Sequence, residues 1–177
     1  MLTSSCLAYL SLGSNLGDRA ANLQRAVHDL GVLGRVTKIS SFYETEPVEF
    51  TAQPWFLNCA VELETLREPQ ELLAGILAIE RSLGRVRDEL VPKGPRIKGP
   101  RTLDIDILLF GDRTVELLEL TIPHPAMHLR RFVLEPLAEI AAEARHPMQG
   151  CTVLELLERL PEGQGMRRLP TDFEPPV

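Results

Sequence analysis

The apolar residues of the chain recur with two periods, one typical of strands and one typical of helices. Strand-like segments are LAYLSLG near the N-terminus, RVTKISSFYET, PWFLNCAVELET and residues 103–110. Helical spacing covers residues 18–33, 69–84, 131–140 and 151–160. Asp18 is the expected N-cap of the first helix, and Pro69 and Gly84 bound the second. The order β-α-β-β-α-β predicts an α+β fold, a ferredoxin-like α/β sandwich whose central, mainly antiparallel sheet is covered by helices.

The chain is long enough for one domain with a full core and short for two. Its 177 residues contain no long linker and no internal repeat except the tetrapeptide Lys-Gly-Pro-Arg, which occurs twice within residues 93–101. We therefore expect a single domain over residues 1–160. Residues 161–177 are too rich in proline and glycine to fold alone, and we expect them to form a C-terminal tail.

The composition narrows the possible functional classes. An apolar fraction of 44% and a charged fraction of 25% are ordinary for a soluble globular protein. No apolar run reaches the length of a membrane-spanning helix, and the N-terminus lacks the basic start of a signal peptide. The net charge of −6 argues against general nucleic-acid binding. Three scattered cysteines indicate neither a disulfide framework nor a zinc site, which fits a reducing cytoplasm.

One segment departs from this acidic average. Between Arg85 and Arg101 the chain carries six cations against two acids, a local charge of +4, in a sequence broken by Gly-Pro pairs. Arginine offers a planar fork for phosphate oxygens. Taken alone, the segment predicts either a cationic loop that closes over a compact polyanion or a solvated surface excursion.

Directly after this segment, two carboxylates occupy alternate positions of a predicted strand. Residues i and i+2 of a strand point the same way, which puts Asp104 and Asp106 on one face. The same alternation assigns Leu108 and Phe110 to that face, and Leu103, Ile105, Ile107 and Leu109 to the other. Mg²⁺ binds through one or two carboxylates plus substrate phosphates. An isolated Asp-x-Asp also fits solvated aspartates on an edge strand, but beside a cationic loop the pair indicates phosphoryl transfer.

Three further motifs have two interpretations each. GSNLGD, residues 13–18, follows a strand and opens a helix but lacks the Lys-Ser/Thr of a Walker A motif, so it fits a tight turn and cap better than a phosphate loop. His124, between two prolines, is either a phosphate donor or part of a rigid turn. In PWFLN, Trp55, Phe56 and Asn58 either contact a flat heterocycle or pack in the sheet.

Several motifs together resemble those of one enzyme family. LSLGSNLGD, SSFYETEPV, QPWFLNCAVELET, LGRVR, GPRTLDIDILLFGD and IPHPAMHLRRFVLEPLAEI occur in the order and at nearly the spacing typical of 6-hydroxymethyl-7,8-dihydropterin pyrophosphokinases of folate biosynthesis. The resemblance covers residues 7 to 147, and GPRTLDIDIL is its most specific motif. It implies a cytoplasmic enzyme that transfers pyrophosphate from ATP to the hydroxymethyl group of the pterin and releases AMP.

The resemblance also implies roles for individual residues. The catalytic positions are matched by Asp104 and Asp106, as the ligands of two Mg²⁺ ions on the triphosphate of ATP, and by Arg85, Arg87 and Arg101, which grip phosphates or close the site. Further ATP-contacting positions are matched by Glu80, Ile107, His124 and Arg130. The pterin-binding positions are matched by Thr45, Val48, Phe56, Asn58 and Phe132, of which the two phenylalanines match the pair that stacks on the ring.

The chain departs from the family pattern in its cationic loop, which is longer than usual, and at Lys98 and Pro125, where aromatic residues are common. These differences concern loop closure rather than magnesium binding. The residues leave two alternative functions open. A magnesium-dependent nucleotidyltransferase would use the same aspartates but release pyrophosphate, and a non-catalytic ferredoxin-like sensing domain would bind a ligand without consuming ATP.

Overall fold

The computed structural model describes residues 4–48, 51–84, 100–163 and 165–170, which form strands, helices and one 3₁₀ turn. The strands are β1 (Cys6–Ser14), β2 (Arg35–Ile39), β3 (Phe42–Thr45), β4 (Phe56–Thr65), β5 (Asp104–Phe110), β6 (Val115–Glu116), β7 (Thr121–Ile122), β8 (Arg145–His146), β9 (Cys151–Thr152) and β10 (Met166–Leu169). The helices are α1 (Arg19–Leu30), α2 (Pro69–Ser82), α3 (Arg131–Ala141) and α4 (Val153–Glu158), and the 3₁₀ turn is Met127–Leu129.

Six strands form one antiparallel sheet. Its order is β10-β3-β4-β1-β5, and β2 pairs with β4 as well. The first connections run β1-α1-β2/β3-β4-α2-β5, which is the predicted order with the second strand divided in two. Helices cover both faces of this sheet, so the predicted α+β, ferredoxin-like fold class is confirmed.

The prediction of one continuous strand over residues 35–45 is wrong, because the ladder breaks at two serines. The Ser40 hydroxyl accepts the backbone N–H of Ala60 at 2.8 Å, where a regular ladder would use a main-chain carbonyl. The N–H and the hydroxyl of Ser41 both donate to the Glu139 carboxylate of α3, at 3.0 and 2.8 Å. These bonds end β2 before Ser40 and let β3 start after Ser41.

The first two helices begin at signals that the sequence carries. Asp18 accepts a backbone N–H of the first turn at 3.0 Å, which confirms it as the N-cap of α1. The helix ends at Leu30 rather than at residue 33, because residues 31–33 form tighter bonds to carbonyls three positions earlier. Pro69 begins α2, and Gly84 follows its end with φ of 85°. None of the described helices is both long and apolar enough to cross a membrane.

The sheet has a hydrophobic core on each face. The α1/α2 core lies between the sheet and these two helices, and its fully buried residues include Leu10, Leu12, Leu23, Leu63 and Ile76. The α3/α4 core lies on the opposite face and includes Ala60, Leu108, Leu134, Leu137 and Val153. β4 is in the middle of the sheet and is buried on both faces, so its polar positions Asn58 and Glu62 are covered too.

A bulge in β5 changes the side that its last residues face. The pairing with β1 shifts between Tyr9 and Leu10, which leaves Leu108 as an extra residue of β5. Strict alternation assigned Leu109 to the α1/α2 side and Phe110 to the side of the aspartates, and both assignments are wrong. Leu109 packs in the α3/α4 core and Phe110 in the α1/α2 core. The positions before the bulge follow the predicted alternation.

The C-terminal segment takes part in the sheet. β10 lies within residues 161–177, the predicted tail, and it pairs with β3 as an edge strand. The tail therefore extends the sheet that residues 1–160 build. Its last residues, 171–177, lie outside the described ranges.

Candidate active site

A pocket opens on the α3/α4 side of the sheet, where β5 begins and α3 starts. Nine of the residues singled out by the sequence line it: Thr45, Val48, Phe56, Asn58, Arg101, Asp104, Asp106, Arg130 and Phe132. Positions on four separate segments of the chain thus meet in one cavity. Their individual roles stay predictions, but the structure brings them close enough to act on one set of ligands.

The two aspartates lie side by side in this pocket. Their β1 partners are Gly13 and Ser11, whose small size leaves the space in front of the carboxylates open. The side chains of Asp104 and Asp106 are 19% and 37% exposed. Arg101 Nη1 lies 2.8 Å from Asp104 Oδ2, so the Asp104 carboxylate has a cationic partner within the protein.

His124 directs one ring nitrogen toward the carboxylate pair. Its Nδ1 accepts the backbone N–H of Ala126 at 3.2 Å, so the proton of the neutral ring resides on Nε2. Nε2 lies 3.9 Å from Asp106 Oδ2. The backbone N–H of His124 donates to the carbonyl of Leu108 at 2.9 Å, which ties the loop to β5. The residue is therefore part of a fixed turn and also a donor next to the aspartates.

Arg101 lies between two halves of the pocket, one that contains Asp104 and Asp106 and one that contains Phe56 and Asn58. Besides its bond to Asp104, its guanidinium carbon lies 5.4 Å from the centroid of the Phe56 ring. Its Nε is buried and has no hydrogen-bond partner within the described ranges. The side chain is only 14% exposed. A buried guanidinium with an open donor is suited to an anionic ligand such as phosphate.

Buried polar groups shape the opposite half of the pocket. Asn58 Nδ2 donates to Thr45 Oγ1 at 2.6 Å, and both residues are almost fully buried. This bond fixes the orientation of the amide, so Asn58 Oδ1 is the atom that lies beside Gly13. A Cβ at Gly13 would stand 2.7 Å from that oxygen, which is closer than a real contact allows. Gly13 is therefore needed for the close approach of β1 and the amide.

Two phenylalanines from different elements complete this half. Phe56 begins β4 and Phe132 lies in the first turn of α3. The guanidinium carbon of Arg130 lies 5.7 Å from the centroid of the Phe132 ring, and that of Arg101 lies 5.4 Å from the centroid of the Phe56 ring. Each ring thus lies near an arginine that also lines the pocket, so aromatic and cationic residues are neighbours there.

Besides His124, four residues to which the resemblance assigns ATP contacts are not among the described residues that line the pocket. Glu80 is 1% exposed, and its Oε1 accepts the backbone N–H of Ile105 at 2.8 Å, so it supports β5 from the α1/α2 side. The Ile107 side chain is buried in the α1/α2 core. Arg85 and Arg87 lie outside the described ranges. The roles of all four as ATP contacts stay predictions.

Sequence reasoning missed a buried asparagine that holds the site together. Asn15 Oδ1 accepts the N–H of Arg101 at 2.9 Å, and the N–H of Asn15 donates to the Arg101 carbonyl at 3.1 Å. Its Nδ2 donates to Gln53 Oε1 at 3.0 Å and to the Pro54 carbonyl at 3.1 Å. Within GSNLGD only the glycines and the helix cap were given a role. A polar residue directly after a buried strand was the available signal.

The carboxylate pair sets the kind of metal that the site can hold. Across the described ranges, no group of three or more His, Cys, Asp and Glu residues could hold a metal ion. Two carboxylates alone suit a hard cation that takes its remaining ligands from water and phosphate, as Mg²⁺ does. The donor set therefore fits Mg²⁺ bound together with a phosphate substrate, and does not fit a structural zinc.

Comparison with known proteins shows the family that the chain resembles. The family model described as 7,8-dihydro-6-hydroxymethylpterin-pyrophosphokinase (HPPK) matches residues 9–142. The chain is 47% identical over 140 residues to the 2-amino-4-hydroxy-6-hydroxymethyldihydropteridine pyrophosphokinase of Bacillus subtilis, which covers 77% of this chain and 79% of that protein. It is 45% identical over 164 residues to the protein of the same name from Methylorubrum extorquens, which covers 92% of this chain and 98% of that protein.

Solved structures support the fold. A crystal structure of Plasmodium falciparum HPPK-DHPS has a TM-score of 0.71 and 17% identity, over 89% of this chain and 46% of that one. The chain thus spans less than half of that longer protein, and the likeness concerns the fold alone. The family model and the two bacterial relatives carry the assignment, and by them the chain belongs to the 7,8-dihydro-6-hydroxymethylpterin-pyrophosphokinase family, as its motifs predict.

Proposed function

We propose that this chain transfers the diphosphate group of ATP to the hydroxymethyl oxygen of 6-hydroxymethyl-7,8-dihydropterin, a step of folate biosynthesis, and releases AMP. The enzyme class follows from the family to which the chain belongs. One observation supports the reaction at this site: a single pocket joins paired carboxylates and an arginine to two phenylalanines and a buried amide. Phosphate binding and ring recognition can therefore occur within reach of each other.

In the ATP half, Asp104 and Asp106 are the proposed ligands of Mg²⁺, with two ions expected. Bound magnesium would hold the phosphates and offset their charge. The aspartates support this role because they share one face of β5 and are partly exposed. Arg101 and Arg130 are the proposed phosphate contacts from the protein, with His124 Nε2 as a further donor. Arg85 and Arg87 remain proposed phosphate contacts on the ground of the motif alone.

In the pterin half, the proposed contacts are an amide, a hydroxyl and two rings. Thr45 engages Asn58 Nδ2, so Asn58 Oδ1 is available to accept an N–H from the edge of the heterocycle. Phe56 and Phe132 are the proposed stacking partners, and Val48 adds an apolar wall. A flat, hydrogen-bonding ring matches this set of groups better than a flexible or purely apolar ligand does.

The proposed step forms one bond and breaks one. The hydroxymethyl oxygen attacks the β-phosphorus of ATP, the bond from that phosphorus to the oxygen bridging to the α-phosphate breaks, and AMP leaves with the bridging oxygen. The hydroxyl proton passes to solvent, since no residue of the described pocket is assigned as its base. Arg101 lies between the two halves and is suited to stabilise charge as it shifts between the phosphates. The protein therefore acts mainly by positioning.

The test is to identify the nucleotide products. The purified protein is incubated with ATP, Mg²⁺ and the pterin alcohol, and parallel reactions omit the pterin or contain excess EDTA. We expect AMP and the pterin diphosphate in equal amounts, and neither product without pterin or metal. Free pyrophosphate with a nucleotidylated product would instead indicate the nucleotidyltransferase. Binding of the pterin without ATP consumption would indicate the sensing domain.

A further inference from the structure

β10, in the C-terminal segment, is bonded to the pterin half of the pocket. It pairs with β3 so that Arg167 lies opposite Glu44 and Met166 lies opposite Thr45. Thr45 lines the pocket and accepts the amide proton of Asn58. The strand that carries one wall of the pocket is therefore held between β4 on one side and β10 on the other.

Glu44 lies where three segments meet. Its Oε1 accepts from Arg19 Nη2 at 2.6 Å, and its Oε2 accepts from Arg167 Nη2 at 2.5 Å. The two arginines hold the pKa of this carboxyl below its usual range. Arg19 Nη1 also donates to the carbonyl of Trp55 at 2.9 Å, directly before Phe56. A continuous set of hydrogen bonds thus runs from Arg167 of β10 through Glu44 and Arg19 of α1 to Trp55, the residue before Phe56 of the pocket.

Glu46 forms a second connection, within the pocket lining itself. Its backbone N–H donates to the Gly165 carbonyl at 3.0 Å, and the Gly165 N–H donates to Glu46 Oε2 at 3.1 Å. A Cβ at Gly165 would stand 2.5 Å from the Glu46 carboxyl carbon, so any side chain there would displace this carboxylate. Residues 45–48 are therefore attached to the C-terminal segment at two successive positions.

We propose that Glu44 is a positioning residue for the pterin pocket, and that Arg167 and Gly165 of the C-terminal segment hold the wall at residues 45–48 through Glu44 and Glu46. The inference rests on the proposed function, because it assigns the pterin to this half of the pocket. Neither Glu44 nor Arg167 is among the described residues that line the pocket, so their effect on the pterin would be indirect. The competing explanation is an ordinary surface ion pair that contributes only stability.

The experiment compares Arg167→Leu with Arg35→Leu in the full-length protein. Arg35 is a matched control, because its ion pair with Glu64 has the same length, 2.5 Å, as that of Arg167 with Glu44. The two arginine side chains are also similarly exposed, at 76% for Arg35 and 70% for Arg167. The control pair is distant from the pocket, because Arg35 lies on β2 and Glu64 lies at the far end of β4 from Phe56. AMP formation is measured with pterin varied at saturating ATP and with ATP varied at saturating pterin. Thermal unfolding of each variant reports stability separately.

We expect Arg167→Leu to raise the KM for the pterin about threefold to tenfold, with the KM for ATP within about twofold of wild type. Arg35→Leu should change neither KM. Glu44→Gln should raise the pterin KM at least as much as Arg167→Leu, since it weakens both arginine contacts, and Arg167→Lys should restore part of the loss. Gly165→Ala provides a second route to the same wall if Glu44→Gln fails to fold, and we expect it also to raise the pterin KM.

If wild type forms AMP but Arg167→Leu and Gly165→Ala have the same pterin KM as wild type, this inference is overturned and the proposed function stands. Equal increases in both KM values, or equal effects of Arg167→Leu and Arg35→Leu, would also overturn it, because they indicate a general loss of structure. A wild type that forms no AMP would instead refute the proposed function.

Discussion

On one face of the central sheet β1 and β4 present apolar residues except at their last positions, Ser14 and Thr65, whereas on the other they present both apolar and polar residues, some of which line the pocket. Toward α1 and α2, β1 contributes Ala8, Leu10 and Leu12. Toward α3 and the pocket, the same strand contributes Tyr9, Ser11 and Gly13. Similarly, β4 contributes Leu57, Cys59, Val61 and Leu63 to the first face and Asn58, Ala60 and Glu62 to the second, where Asn58 lines the pocket and Glu62 accepts hydrogen bonds from Thr37 and Lys38 of β2.

This difference shows how the fold separates stability from binding. The apolar residues that β1 and β4 present to α1 and α2, from Ala8 to Leu12 and from Leu57 to Leu63, are all buried, so a change there should alter the free energy of unfolding. On the other face the apolar cover ends where α3 starts, and small or polar residues take over. A change in that uncovered part should alter binding or turnover more than stability.

The largest expected effect is on turnover, at the open end of the second face. Asp106→Ala removes one of the two proposed metal ligands, and we expect turnover to fall about a thousandfold. The fold should remain intact, because the Asp106 side chain is 37% exposed and takes no part in either core. AMP formation and circular dichroism are measured together, with Asp29→Ala on α1 as a control for loss of a partly exposed carboxylate. Unchanged turnover would refute the metal assignment.

The next effect is on stability, at the covered face. Leu10 is fully buried in the α1/α2 core, and Leu10→Ala should lower the free energy of unfolding by about 2–5 kcal/mol. Urea unfolding measures the loss, and Leu118→Ala, at a residue that is 93% exposed, should change it by less than about 0.5 kcal/mol. The KM values of folded Leu10→Ala should match wild type. A large shift in either KM would mean that the two faces are coupled.

A smaller effect is expected where β1 meets the pocket. Gly13→Ala brings a Cβ against Asn58 Oδ1 and should displace the amide that we assign to the pterin. We expect the pterin KM to rise about tenfold while the KM for ATP changes little. Steady-state kinetics with each substrate varied in turn separates the two. Equal increases would argue that Gly13 matters for the whole pocket and not for the amide.

The smallest effect concerns pH and the edge of the second face. Burial would raise the pKa of Glu139, but hydrogen bonds from Ser41 and Tyr43, with Arg168 nearby, hold it below its usual 4.5. A carboxyl whose pKa is lowered by folding stabilises the protein at pH above 4.5, and this stability is lost as the pH falls through the folded-state pKa. As the pH is lowered below 4.5, the unfolding free energy of Glu139→Gln should therefore fall less than that of wild type, and the difference should be less than about 1 kcal/mol. The unfolding free energy of each protein is measured by urea unfolding at several pH values, and an identical pH dependence in wild type and Glu139→Gln would contradict this.

Local features of the fold were predictable from the sequence because they depend on neighbouring residues. The cap at Asp18, the start of α2 at Pro69 and the shared face of Asp104 and Asp106 each follow from spacing along one element. The fold class followed from the order of these elements, and the family followed from six motifs in that order. The motifs also named nine residues that meet in the pocket, although each motif lies on a separate segment.

Other features were decided by partners distant in the chain. The bulge at Leu108 depends on how β5 pairs with β1, and the break at Ser40 and Ser41 depends on bonds to β4 and α3. The same holds for Asn15, which binds Arg101 and the loop before β4. A backbone or side-chain donor can satisfy its hydrogen bond locally or across the fold, and only the packed structure selects which. For that reason a segment rich in proline and glycine became β10, an edge strand paired with the strand that carries Thr45 of the pocket.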